Sequence, residues 1–292
     1  MANDLFRQNS FKVVGTLVKA DQSLKTNPDN GEQSIAVTAT VSSVIEGKTN
    51  EFTIKLFSKA LTVEGKPNGL YASYSKMNEL EGHKIEISGS ISENRYYSTT
   101  SEQMVSAQVL NGRWVKAVPE ATADEATYTL GGFIIKDVTE KVNKANEIYR
   151  YDVAIAQSNY NGDNINVFNL NIDPSNIEVL NGVKGYNIGD TVKLVGDLSS
   201  VVETKTVEDS TAGFGKKVYN TFTNTYRGYY ITFGSSAIQD ETTYDSVTIQ
   251  RLVAAYKAKD TELMAKAKTG VVASAPANNN PAPVTQRQVN LI

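Results

Sequence analysis

The chain has 292 residues, 40% of them hydrophobic and 21% charged, with a net charge of −3 and an isoelectric point near 5.4. That length suits two domains with separate cores, and the acidic balance argues against indiscriminate binding to duplex DNA, which needs a broad basic surface. There is no cysteine, which excludes thiolate metal sites and cysteine nucleophiles and points to a reducing compartment, the cytoplasm. No run approaches the roughly 18 apolar residues of a membrane span, and polar Met1–Ser10 lacks a hydrophobic signal core.

Period-two alternation dominates the body. The first strand, Phe11–Lys19, reads FKVVGTLVK and is followed by a loop over 20–34 that carries Lys25. Ile35, Val37, Ala39 and Val41 then share one face of a strand over 34–45. Phe52, Ile54 and Leu56 do the same over 50–58, with Thr53 and Lys55 outward. One buried face and one wet face is the pattern of antiparallel sheet. A connector at 69–81 places Tyr71, Tyr74, Met77 and Leu80 at helical spacing. A glycine-led strand, GHKIEISGSI over Gly82–Ile91, and a fifth strand over 104–117 complete the first half.

The pattern then recurs. Tyr128–Lys136 reads YTLGGFIIK and aligns with Phe11–Lys19 without a gap, Gly132 falling on Gly15. Gly189–Leu198 reads GDTVKLVGDL and matches Gly82–Ile91. Two landmarks in the same order indicate a duplication. Strands over 148–157 and 164–172, a connector at 174–186 and a last strand within 218–239 fill the second half. Mid-strand glycines mark the sharp bends that a small barrel needs. The fold class is therefore all-β, with two tandem five-stranded barrels. The order of three strands, a connector and two strands resembles the OB-fold, a Greek-key barrel. Residues 1–117 form the first barrel, 118–127 a short linker and 128–240 the second barrel. Asp245 can cap a C-terminal helix within 241–268. The Ala-, Asn- and Pro-rich segment 269–292 is expected to be a disordered tail.

An enzymatic role finds little support. His83, the one histidine, falls in a turn, and the chain has no P-loop, GxSxG or HExxH motif. Binding fits better. Sequence-tolerant binding of single strands needs aromatic faces for bases and cations along the phosphates. In the first half the candidates are Lys55, outward on the third strand, and Arg95, Tyr96 and Tyr97, in the loop between strands four and five. In the second half they are Tyr149, Arg150 and Tyr151 on the second strand. The long segment between the last two strands adds Phe214, Lys216, Lys217, Tyr219, Phe222, Tyr226 and Arg227.

With these residues the chain resembles tandem OB-fold single-stranded DNA-binding proteins of replication, a bacteriophage form included. The resemblance implies sequence-tolerant binding and protection of single-stranded DNA in replication and recombination, with no cofactor. It also implies recruitment of replication proteins by the apolar tip Val289–Ile292, in the host cytoplasm if the chain is viral. The alternatives are a virion or tail assembly protein and a carbohydrate-binding module. A continuous positive groove through Lys55, Arg95, Lys216 and Arg227 would favour DNA over assembly.

Overall fold

The computed structural model describes residues 5–208 and 219–268, and within that range not the side chains of 205–208, 219, 220 and 222. In the first half β1 (Gln8–Thr26), β2 (Gln33–Ile45) and β3 (Lys48–Lys59) form a meander. Helix α1 (Gly69–Tyr74) and a 3-10 turn at Met77–Leu80 lead into β4 (Lys84–Ser98) and β5 (Gln103–Ala117). Strand β4 returns to β1, and β5 pairs with β4 and, in parallel, with β3. That closes the barrel. The second half repeats this with β6 (Glu125–Val142), β7 (Ile148–Ser158), β8 (Ile165–Ile172), α2 (Ile177–Lys184), β9 (Thr191–Glu208) and β10 (Tyr219–Gly234). There β10 closes in parallel on β8 through Tyr230 and Asn171. Both halves have the connectivity of the OB-fold. Tyr74 and Met77 are buried in the first core, Leu180 and Val183 in the second.

The two glycine landmarks explain the closure. A Cβ on Gly15 would lie 2.3 Å from the carbonyl oxygen of Ser42, and one on Gly132 2.1 Å from that of Ala156. At these points the first strand of each barrel bends from one neighbour to the next. Bulges follow at equivalent places, between Leu17 and Lys19 and between Ile134 and Lys136.

The barrels join through an antiparallel ladder from Gln8–Gly131 to Val14–Glu125. Phe11 faces Tyr128, its own counterpart, and exchanging the two halves maps the ladder onto itself. The tandem barrels therefore pack about a pseudo-two-fold axis through this pair. Tyr128 is 2% exposed and Phe11 2%, so the axis passes through core.

Helix α3 (Ser246–Lys268), capped by Asp245 at the amide of Thr248 (2.8 Å), breaks the symmetry. Phe133, Ala156 and Ile165 form a cluster with Tyr244 and Leu252. Thr16 and its partner Ser42 occupy the positions of Phe133 and Ala156 in the first barrel. Only the second barrel thus offers an apolar seat to the helix. From there α3 reaches the first barrel. The hydroxyl of Tyr256 donates to Glu93 at 2.6 Å, and the amide of Val167 on β8 donates to the same carboxylate at 2.9 Å. Glu93 has a side chain only 3% exposed.

Four boundaries differ from the sequence reading. Tyr226 and Arg227 lie within β10, paired with Val201 and Ser200 of β9, and not between the last two strands. Strand β1 runs to Thr26, so Lys25 lies in a strand paired with Ser34 and not in a loop. The linker ends before Glu125, because small Ala126 is buried in the ladder to β1 and continues the alternation of Tyr128. Strand β4 extends to Ser98, so Arg95, Tyr96 and Tyr97 pair with Ser106, Val105 and Met104 instead of forming a loop. The disorder expected for 269–292 concerns a segment outside the described residues.

Two substitutions probe this architecture. Gly15→Ala should destabilise the chain by about 1–3 kcal/mol in urea titrations, the usual cost of forcing an extra carbon into a packed contact. Tyr256→Phe should cost about 2 kcal/mol by the same measurement, since it removes a hydrogen bond to a buried carboxylate.

Candidate nucleic-acid interface

The outward row of β3 carries Thr53, Lys55, Phe57 and Lys59, because alternation sends Phe52, Ile54 and Leu56 inward. Phe57 is 61% exposed and lies between two lysines. Its cross-strand neighbours are Ala36 and then Ser23, which leave the ring face open. Lys25 faces Ser34, and Ser34 faces Lys59. Lys59 is held by Glu32 at 2.9 Å. Lys55 has no carboxylate partner among the described residues.

Beyond Lys55 the surface dips between the barrels. A cavity of about 320 Å³ is bounded by β3 and β5 on one side and by β8, β9 and β10 on the other. Lys55, Arg150 and Arg227 line it, with Gln108, Asn169 and Asn171, and among the described residues no carboxylate does. A larger cavity of about 1040 Å³ adjoins it and shares Arg150, Leu198, Ser199 and Arg227. Tyr149 and Tyr226 stand in its wall, 51% and 53% exposed. This second cavity is electrically mixed, since Lys48 and the two arginines meet Glu46, Asp173, Asp197 and Glu203.

Hydrogen bonds aim these groups. Arg150 forms an ion pair with Asp152, its Nε 2.9 Å from Oδ1 and its Nη2 donating to Oδ2 at 3.4 Å, and its guanidinium lies 5.5 Å from the ring centre of Tyr149. Asn171 Nδ2 donates to Asp152 Oδ1 at 2.9 Å, while Asn171 Oδ1 accepts from the amide of Tyr229 at 3.0 Å. Arg150 is thereby tied to the strand that carries Arg227. Arg227 itself has no carboxylate partner among the described residues. Tyr229 packs edge-on to Tyr128 at 5.9 Å. Burial pushes both hydroxyls well above the ordinary tyrosine range, so both stay neutral. Burial, then Glu46 and Glu125, push the Asp197 carboxyl up.

The structure thus brings together Lys55, Arg150 and Arg227, with Tyr149 and Tyr226 beside them. Arg95 is elsewhere. It pairs with Asp260 of α3, lies 3.7 Å from Glu93, and its guanidinium sits 3.8 Å over the ring of Tyr256. Its charge is consumed inside the fold, so Arg95 does not join Lys55 and Arg227, and Lys216 lies outside the described residues. Tyr96 and Tyr97 are half-buried and line neither cavity. Tyr151 packs against the main core, with Lys184 Nζ 5.3 Å from its ring centre. Phe214, Lys216 and Lys217 lie outside the described residues, as do the side chains of Tyr219 and Phe222 on β10. Sequence reasoning missed Phe57. Its signal is a broken pattern, an aromatic residue in the polar register of β3.

A model of the YorF family matches residues 7–269. The chain belongs to the YorF family. No curated protein matches it in sequence. Among solved structures, the wild-type single-stranded DNA-binding protein of Thermus aquaticus aligns over 82% of this chain and 98% of its own, at 10% identity and a TM-score of 0.49. A deletion variant of that protein aligns over 80% and 96%, at 12% identity and the same TM-score. A replication protein A heterotrimer bound to single-stranded DNA aligns over 87% of this chain and 53% of its own, at 11% identity and a TM-score of 0.22.

The raised pKa of Asp197 has a signed consequence. A carboxyl raised on folding favours the folded state below its unfolded pKa and loses that contribution as pH rises through the folded value. Ionised Asp197 therefore opposes folding at neutral pH. Asp197→Asn should raise the thermal midpoint at pH 7, and the gain should vanish as pH falls through the carboxylate range.

Proposed function

We propose that this YorF member binds single-stranded DNA without sequence preference, along a track from the outer face of β3 into the cavity between the barrels. The observation that carries the reading is the convergence of Lys55, Arg150 and Arg227 on a cavity lined by no carboxylate among the described residues, with exposed Phe57, Tyr149 and Tyr226 nearby. Cations spaced along a groove follow the phosphates, and aromatic faces take bases of any sequence. The acidic net charge then keeps binding confined to this track. The chemistry is binding, with bases stacked and phosphates paired, and needs no cofactor.

The reading extends to protection of single strands in replication and recombination, in the cytoplasm of a cell or of a phage host. It assigns the terminal residues Val289–Ile292 to recruitment of replication proteins.

The test is fluorescence anisotropy of a labelled oligo-dT of about 30 nucleotides at several salt concentrations. Binding should weaken steeply with salt, by a log–log slope of about 0.7 per phosphate contact. Lys55→Ala and Arg227→Ala should each remove about one contact from that slope. No binding at low salt and tens of micromolar protein would overturn the reading in favour of an assembly module.

A further inference from the structure

The duplication allows the two barrels to be compared position by position. The parallel closures place Lys55 beside Asn111 and Asn171 beside Tyr230. The bulges that immediately precede Gly89 and Gly196 put Asn111 and Tyr230 at equivalent places in β5 and β10. Lys55 of the first barrel therefore corresponds to Asn171 of the second, and Phe57 to Asp173. On the neighbouring strands, Thr38 faces Lys55 where Asp152 faces Asn171.

The fold is repeated but its outer face is not. In the first barrel an open phenyl ring lies between lysines. In the second, the ring is replaced by a carboxylate, and the central lysine by an amide that is 6% exposed and already hydrogen-bonded to Asp152 and the amide of Tyr229. Asp173 is exposed and held ionised, its carboxyl drawn below the usual range by the hydroxyl and amide of Ser175. The cations on this face are engaged as well. Asp152 binds Arg150 and lies 3.8 Å from Lys141. Helix α3 also covers the seam between β8 and β4, while its counterpart between β3 and β9, joined by Asn50 and Ser200 at 2.8 Å, opens onto the cavities.

We propose that a single strand of DNA is held by one sheet face, that of the first barrel, and that the matching face of the second barrel is closed to it by Asp152 and Asp173. This rests on the single-stranded DNA reading. The second barrel contributes only at the cavity, through Arg227 and the near side of Arg150. Phe57 is the stacking residue of the open face, and Asp173 repels phosphate from the closed one. One chain then binds one strand over one sheet face, and duplication of the fold does not double the footprint.

Three variants, checked for folding by thermal melts, test this with the same oligo-dT. Phe57→Ala should weaken binding by about five- to a hundredfold, the range for losing one stacked base. Asp173→Ala should not weaken it, since a carboxylate that repels phosphate has no phosphate contact to lose. Asp173→Phe, which copies the first barrel, should tighten it. The intact protein gives an independent readout by cross-linking to oligo-dT carrying 5-iodouracil. Adducts should fall on residues 48–59, with Phe57 foremost, and not on 172–175, the stretch around Asp173. Equal losses for Phe57→Ala and Asp173→Ala, or equal adducts on both segments, would overturn the one-face inference and leave the DNA reading standing. Failure of the wild-type chain to bind oligo-dT would overturn both.

Discussion

The ladder between β1 and β6 governs the rest of the molecule. It pairs Phe11 with Tyr128 at the centre of a self-matching register, so the two closed barrels cannot pivot freely about their linker. The ladder is possible only because Gly15 and Gly132 let each first strand bend sharply out of it. A side chain at either position would collide with a carbonyl little more than 2 Å away. Each first strand then serves two tasks, closing its own barrel and gripping its twin. The gap between β3 and β5 of one barrel and β8 and β10 of the other follows from that grip.

Symmetry of the backbone does not carry over to the surface. The second barrel spends its apolar outer residues, Phe133, Ala156 and Ile165, on seating α3. Helix α3 in turn clamps the first barrel through Tyr256, Asp260 and the buried carboxylate of Glu93. One seam is sealed and the other left open. The charges follow the same division, with Arg95 absorbed by the clamp and Arg150 and Arg227 presented to the cavity. The fold repeats a frame, and a few substitutions on it decide where a ligand can lie.

Much of the frame was legible in the sequence. The glycine landmarks and alternating strands carry the fold class because they encode bends and burial, which are local. The placement of Lys55 outward was legible for the same reason. The identity of the cavity's cations was less so. Arg95, Tyr96 and Tyr97 read as a loop because Asn94, Arg95 and the two tyrosines break the apolar alternation, yet the hydrogen bonds to β5 continue to Ser98. The fate of Arg95 depends on Asp260, 165 residues away, and no local pattern reports such a contact. Arg150 and Arg227 come together through the closure of β10 on β8, which is likewise non-local. Phe57 was visible as an irregularity, but its meaning depends on small residues at Ala36 and Ser23 on adjacent strands.

The most direct test of the account is hydrogen–deuterium exchange of the full chain with and without saturating oligo-dT. Protection concentrated in 48–59 and 225–230, at the open face and the cavity wall, is the predicted result. Protection confined to β4 and β5 around 94–106, or none at all, would contradict the placement of single-stranded DNA between the barrels.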